Sequence, residues 1–87
     1  MPVASAQASE AQRLAQCKRL ALRDPEQALR EVEALAQQLP NGALVQEREL
    51  LAIRLHERLG HQAIAAKLRQ RFLERYPSSV YRRALVP

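Results

Sequence analysis

The stretch His61–Ser79, HQAIAAKLRQRFLERYPSS, repeats the pattern of an earlier stretch, Asp24–Gly42, DPEQALREVEALAQQLPNG. The two copies start 37 residues apart in a chain of 87 residues. Each copy has an alanine at its fifth position and a proline twelve places later, namely Ala28 and Pro40 in the first copy and Ala65 and Pro77 in the second. A repeat of this length with helical content is typical of stacked helix pairs.

Turn residues divide the chain into four main helices and a short fifth one. Asp24 is a good N-cap, and Pro25 suits the first position of a helix because its missing N–H has no partner there in any case. Gly60 predicts a left-handed end to a helix, and Pro77 disfavours a helical conformation at the residue before it. The predicted spans are 9–22 with Ser9 as N-cap, 25–39, 43–59, 62–76, and a short helix capped by Ser78 or Ser79.

Apolar residues recur at helical spacing on these segments. Leu14, Cys17 and Ala21 mark one face of the first helix, and the third helix is apolar over a wide arc, as expected of a helix with neighbours on two sides. The predicted core consists of Leu35, Leu51, Leu55, Leu68 and Phe72. The predicted packing side of the fifth helix consists of Val80, Tyr81, Ala84 and Leu85.

The predicted fold class is therefore all-α, with consecutive antiparallel helix pairs. No segment shows the alternation of apolar and polar residues that marks a strand. Residues 1–8 are mostly Ala, Ser and Gln and predict a disordered segment, so a single domain is expected over residues 9–87. No apolar run reaches the ~18 residues that a membrane span needs, so no membrane insertion is expected.

The net charge of +5 lies entirely in the second half of the chain. Residues 1–41 contain five basic and five acidic residues, whereas residues 42–87 contain nine and four. A solvated basic face is the first interpretation, and a footprint for nucleic-acid backbone is the alternative. The candidate basic patch comprises Lys67, Arg69, Arg71, Arg75, Arg82 and Arg83.

Side chains that commonly carry catalysis or bind metals are few. A zinc site needs three or four ligands held together, and the chain has one cysteine, Cys17, and two histidines, His56 and His61. We expect Cys17 to be a small buried hydrophobe, His56 a packing residue and His61 a solvated turn residue. The two glycines leave no phosphate-binding loop. The prediction is no enzyme, no metal and no cofactor.

The segment LLAIRLHERLGHQAIAAKLRQRFLERYPSS, residues 50–79, resembles a tetratricopeptide repeat. Gly60 matches the turn between paired helices, Ala65 the small residue at the close helix approach, and Pro77 the end of the repeat. The first copy keeps the second-helix part of the motif, and the resemblance covers roughly residues 9–79. Departures from the residues that the family prefers occur at Glu49, Ile53 and His56.

This resemblance implies a short right-handed array whose inner face, made by the first helix of each pair, binds a partner. The positions carried over are Glu47, Leu50, Leu51, Arg54, Glu57 and Arg58. Arg54 and Arg58 lie one helical turn apart and would suit a carboxylate on a partner peptide. The alternative is that they pair with Glu57 and Glu47 along their own helix.

The function predicted on these grounds is protein–protein interaction or scaffolding. The resemblance suggests a domain of a larger bacterial regulatory or envelope-associated protein that binds a peptide or helix, or that self-associates. Two helix pairs are fewer than such arrays usually need, so we expect a homo-oligomer or part of a longer chain. The alternative is a basic helical module that binds nucleic-acid backbone. A cytoplasmic location is favoured, with the periplasm as the alternative for a domain of a membrane-anchored protein.

Overall fold

The computed structural model describes residues 6–86, with side chains from Glu10 onward. These residues form four main helices and a short fifth one, and no strand occurs among them. The prediction of an all-α fold with this number of helices is confirmed. The helices are α1 (Ala6–Ala21), α2 (Pro25–Gln38), α3 (Val45–Arg58), α4 (Gln62–Arg75) and α5 (Arg82–Leu85).

The predicted turn residues shape the helix ends. The Asp24 side chain accepts a hydrogen bond from the Gln27 N–H at 3.1 Å and so caps α2, whose first residue is Pro25. Gly60 has a φ of 80°, the left-handed conformation expected after α3. Helix α3 begins at Val45, two residues later than predicted, because residues 43 and 44 still belong to the preceding turn.

The first helix differs most from the prediction. Helix α1 begins at Ala6, so Ser9 lies inside it and is not its N-cap. Of the predicted disordered segment 1–8, residues 1–5 lie outside the described residues, and residues 6–8 belong to α1. Ala and Gln favour the helical conformation, which accounts for the earlier start.

Adjacent helices pack in pairs. Contacts are broad between α1 and α2, between α2 and α3, and between α3 and α4, whereas α1 and α3 approach each other only narrowly. Two polar contacts bridge this narrow approach. The Glu10 Oε1 accepts a hydrogen bond from the Leu44 N–H just before α3, and the Arg58 guanidinium donates to the carbonyl of Ala21, where α1 ends. The two helices therefore run side by side in the same direction.

Two apolar clusters form the core. The first lies among α1, α2 and α3 and the second among α3, α4 and α5. Leu35, Leu55 and Phe72 are fully buried, as predicted. Leu51 and Leu68 are only half-buried and lie at the edges of the two clusters. The buried members are, in the first cluster, Cys17, Ala21, Ala28, Leu29, Val32 and Leu55, and in the second, Ile53, Phe72 and Leu85.

Helix α5 covers the second helix pair with part of its predicted packing side. Leu85 is buried against Ile53 and Phe72, and Tyr81 packs beside it. Val80, by contrast, is 87% exposed and Ala84 is also exposed, so the prediction is wrong for these two residues. The reason is that Val80 precedes α5 in a turn, and one four-residue helix buries a single apolar position.

The helices of the described residues are shorter and more polar than helices that span membranes. None of those within residues 6–86 has the length and the apolar content needed to cross a membrane.

Candidate protein-binding groove

A concave groove of about 390 Å³ opens between the C-terminal part of α1 and most of the length of α3, and Tyr81 borders it ahead of α5. It exists because α1 and α3 approach each other only narrowly. Its floor is apolar, and three cations, Lys18, Arg54 and Arg58, stand around it with one carboxylate, Glu47. The other lining residues are Ala21, Leu22, Leu50, Leu51, Leu55 and Tyr81. We refer to this feature as the α1–α3 groove.

A second hollow of about 240 Å³ adjoins the groove towards the start of both helices. The two hollows share Lys18 and Glu47, so together they form one trough along α1. The stretch from Ala11 to Leu22 that borders them is about 17 Å long at 1.5 Å per residue. A trough of this length fits about three turns of a helix, or about five residues of an extended peptide.

The side chains on the two walls follow helical spacing. Ala11, Ala15, Lys18 and Leu22 recur every three or four residues on the α1 side. Glu47, Leu50, Leu51, Arg54 and Arg58 do the same on the α3 side, and all five belong to the set predicted from the sequence. The structure therefore brings five of the six predicted contact positions to one concave surface.

The sixth predicted position, Glu57, faces elsewhere. Its carboxylate forms an ion pair with Arg69 of α4, and it does not line the groove. The alternative pairing of Arg54 and Arg58 with Glu57 and Glu47 does not occur among the described residues. The charges of α3 are therefore divided between two sides, one towards the groove and one towards α4.

The two arginines predicted to act together have different surroundings. Arg58 is held by its hydrogen bond to the Ala21 carbonyl, a position at which a cation also stabilises the negative end of α1. Arg54 is exposed and has no hydrogen bond or ion pair among residues 10–86. Lys18 is also exposed and unpaired among these residues, so Lys18 and Arg54 are the groove cations available to a ligand, and Arg58 is fixed in place beside Arg54.

The candidate basic patch is partly neutralised. Arg69 is paired with Glu57, and Arg75 lies 3.4 Å from the Glu49 carboxylate and 5.3 Å from the centre of the Tyr76 ring. The Tyr76 hydroxyl donates to the same carboxylate at 3.0 Å, and burial followed by this hydrogen bond raises the pKa of Tyr76. The members that remain exposed without an ion pair in the described part of the chain are Lys67, Arg71, Arg82 and Arg83.

Cys17 is a core residue, as predicted. It is 4% exposed, and burial, together with the negative charge of Glu31, raises the pKa of its thiol. A raised pKa keeps the thiol protonated, and a protonated buried thiol is a poor nucleophile and a poor metal ligand.

The two histidines lie close together at the turn after α3. His56 is 8% exposed, whereas His61 is exposed. Among the described side chains, no group of three or more His, Cys, Asp or Glu residues is arranged to hold a metal ion. The absence of catalysis, of a metal and of a cofactor stays a prediction.

Two buried charged residues were not anticipated from the sequence. Glu10 is 1% exposed; its Oε1 accepts from the Leu44 N–H at 3.2 Å, and its Oε2 has no partner among the described residues. Arg48 is 5% exposed and donates to the Pro40 carbonyl at 3.1 Å. Both side chains satisfy backbone groups of the α2–α3 connection. No local sequence signal predicts the burial of either residue, because that burial depends on how the α2–α3 loop folds against α1 and α3.

The comparisons with known proteins add no family to this description. No family model, no curated protein and no solved structure matches the chain.

Proposed function

We propose that the chain is a protein-binding module and that the α1–α3 groove is its binding surface. The observation that carries the proposal is the apolar floor of the groove with the unpaired cations Lys18 and Arg54 at its edge. Leu22, which is 80% exposed, extends the apolar surface at the end of α1. Apolar pockets with a few placed polar groups are typical of ligand sites.

The charge of the groove favours an acidic partner. Lys18, Arg54 and Arg58 outnumber Glu47, which leaves two positive charges in excess. A second copy of this chain carries the same net charge of +5 and is a poor electrostatic match. The partner that fits is a short acidic segment of another protein, with apolar side chains for the floor and a carboxylate for Arg54. An arginine fork binds a carboxylate through two charge-assisted hydrogen bonds.

The arrangement of the helices is compatible with a repeat-like module, and the assignment of the chain to a tetratricopeptide-like array is part of the proposal. Helices α1 and α3 are the first helices of their pairs, run in the same direction, and together line the groove. These are the helices on which the tetratricopeptide resemblance places the partner. We propose on this basis a two-pair array within a scaffolding protein.

Selection from a displayed library of short random peptides tests the proposal. The expected result is enrichment of sequences that combine apolar residues with Asp or Glu, and synthetic copies of them should bind in solution. Arg54→Glu should weaken that binding by roughly tenfold or more, since a hydrogen bond to a charged group contributes about 1.5–3 kcal/mol. Arg54 is exposed and unpaired among the described residues, so the substitution should leave the fold unchanged.

Arg71→Glu is the matched control, because Arg71 is also exposed and on a helix but does not line the groove. It should leave peptide binding unchanged. Equal loss in both variants would contradict the groove as the site. Binding of duplex DNA that is lost in Arg71→Glu and falls steeply with salt would favour the nucleic-acid alternative instead.

A further inference from the structure

The turn that ends α3 has the two backbone hydrogen bonds of a Schellman motif. The His61 N–H donates to the carbonyl of His56 at 2.8 Å, and the Gly60 N–H donates to that of Glu57 at 3.1 Å. Gly60 supplies the left-handed residue with its φ of 80°. In this motif, an apolar contact between the residues at the positions of His56 and His61 usually completes the turn.

Here the apolar contact is replaced by two imidazoles. The Nδ1 atoms of His56 and His61 lie 3.0 Å apart, and the ring centres lie 5.2 Å apart. A hydrogen bond between two imidazole nitrogens needs one ring to donate and the other to accept. The bond is therefore available when at least one ring is neutral. When both rings are protonated, neither Nδ1 can accept, and two positive charges face each other at this distance.

We propose that the hydrogen bond between His56 and His61, which we call the histidine clasp, is pH-sensitive. It stabilises the α3–α4 turn near neutral pH and is lost on acidification, so that the turn opens. The inference is independent of the α1–α3 groove, since neither histidine lines it. It rests on the Schellman geometry of the turn and on the Nδ1–Nδ1 contact.

The surroundings of His56 set the direction of the effect. Burial lowers the pKa of His56, and the neighbouring His61 lowers it further, whereas Glu33 of α2 opposes the change. Helix α4 also packs against α3, but among the described residues none of its charged side chains joins His61 and Glu33 in shifting the pKa of His56. A base whose pKa is lower in the folded state than its ordinary 6.5 binds more protons when unfolded. The stabilisation is complete above pH 6.5 and is lost as the pH falls from there through the folded-state pKa.

Hydrogen exchange of the backbone amides at positions 60 and 61 measures the histidine clasp directly. EDTA is present throughout, so that no metal ion binds between the two Nδ1 atoms in place of the shared proton. Protection should fall by roughly threefold or more between about pH 7.5 and about pH 5, after correction for intrinsic exchange. His61→Leu restores the usual apolar contact of the turn and should reduce this loss of protection to the part that burial of His56 alone causes. His61 is exposed, so the variant should fold.

NMR titration of the His56 imidazole in His61→Gln provides the second measurement. Gln does not become charged, and its amide oxygen can accept a hydrogen bond from the protonated His56 ring, so the pKa of His56 should rise. The proposal is overturned if the His56 titration is unchanged in this variant. Equal loss of protection at low pH in the wild type and in His61→Leu also overturns it.

Discussion

Phe72 lies at the centre of the second core cluster. Its side chain is 0% exposed, its ring lies 4.9 Å from the ring of Tyr76, and it packs with Ile53 and Leu85. Phe72→Ala should lower the free energy of unfolding by about 3–5 kcal/mol, because it removes a large buried side chain and leaves a cavity. Urea unfolding measures the change, and Phe72→Leu should cost clearly less. An unchanged midpoint in Phe72→Ala would show that the core is elsewhere.

The Glu10 side chain of α1 occupies the space beside Gly42 of the α2–α3 loop. A Cβ placed on Gly42 would lie 2.0 Å from the Glu10 Oε2, so a side chain at this position must displace the carboxylate. Gly42→Ala should therefore destabilise the wild type, because Glu10 loses its place beside the Leu44 N–H. In a Glu10→Ala background the clash is absent, and Gly42→Ala should be neutral or stabilising by up to about 1 kcal/mol.

The double-mutant cycle over these two positions isolates their coupling. Its four variants are compared by urea unfolding. Equal effects of Gly42→Ala in both backgrounds would contradict the contact.

The ends of the helices are the part of the structure that the sequence predicted best. Asp24, Pro25 and Gly60 act through their own backbone and its nearest neighbours, so their roles at the helix ends could be predicted without knowledge of the tertiary structure. The burial of Glu10 could not, since it depends on a loop about thirty residues away.

The candidate site shows the same division. The positions on the α3 wall of the groove, including Leu50 and Arg54, were among those that the tetratricopeptide resemblance implied. The α1 wall did not, because nothing in the sequence indicates how far α1 and α3 lie apart. Lys18 and Leu22 were missed for this reason, and Glu57 was included because the side of α3 that faces α4 could not be separated from the groove side.

Gly60→Ala tests the end of α3. The left-handed φ of Gly60 strains any residue with a Cβ, although no atom lies within 4 Å of the position that a Cβ would take. The substitution should cost about 1 kcal/mol or more. Gly60→Asn should cost less, because Asn adopts this conformation more readily. Thermal unfolding compares the three proteins, and a Gly60→Ala variant as stable as the wild type would contradict the conformation described for the turn.

Four large apolar side chains among the described residues are exposed to solvent. Leu22 is 80% exposed, Ile64 48%, Val80 87% and Val86 38%. With only two helix pairs, we expect this surface to drive association, although self-association remains a prediction. Light scattering after size exclusion should give a mass above that of the monomer at high micromolar concentration. The mass should persist in high salt, because apolar contacts are not screened as charges are.

Val80→Ser should shift this mass towards the monomer, because Val80 is 87% exposed and lies outside the α1–α3 groove. Gln37→Ala, at an exposed polar position, is the control. A strictly monomeric protein under all these conditions would rule out self-association. It would leave the proposal for the α1–α3 groove unaffected.

The most direct test of the account is to map a selected acidic peptide onto the molecule by amide chemical-shift perturbation. If the α1–α3 groove binds the peptide, the shifted amides should cluster on its walls, around Lys18, Leu22, Leu50 and Arg54. Amides near Arg71 on α4 should change little. Perturbations centred on α4 and α5 around Arg71, Arg82 and Arg83, with the groove unaffected, would contradict the proposed binding surface.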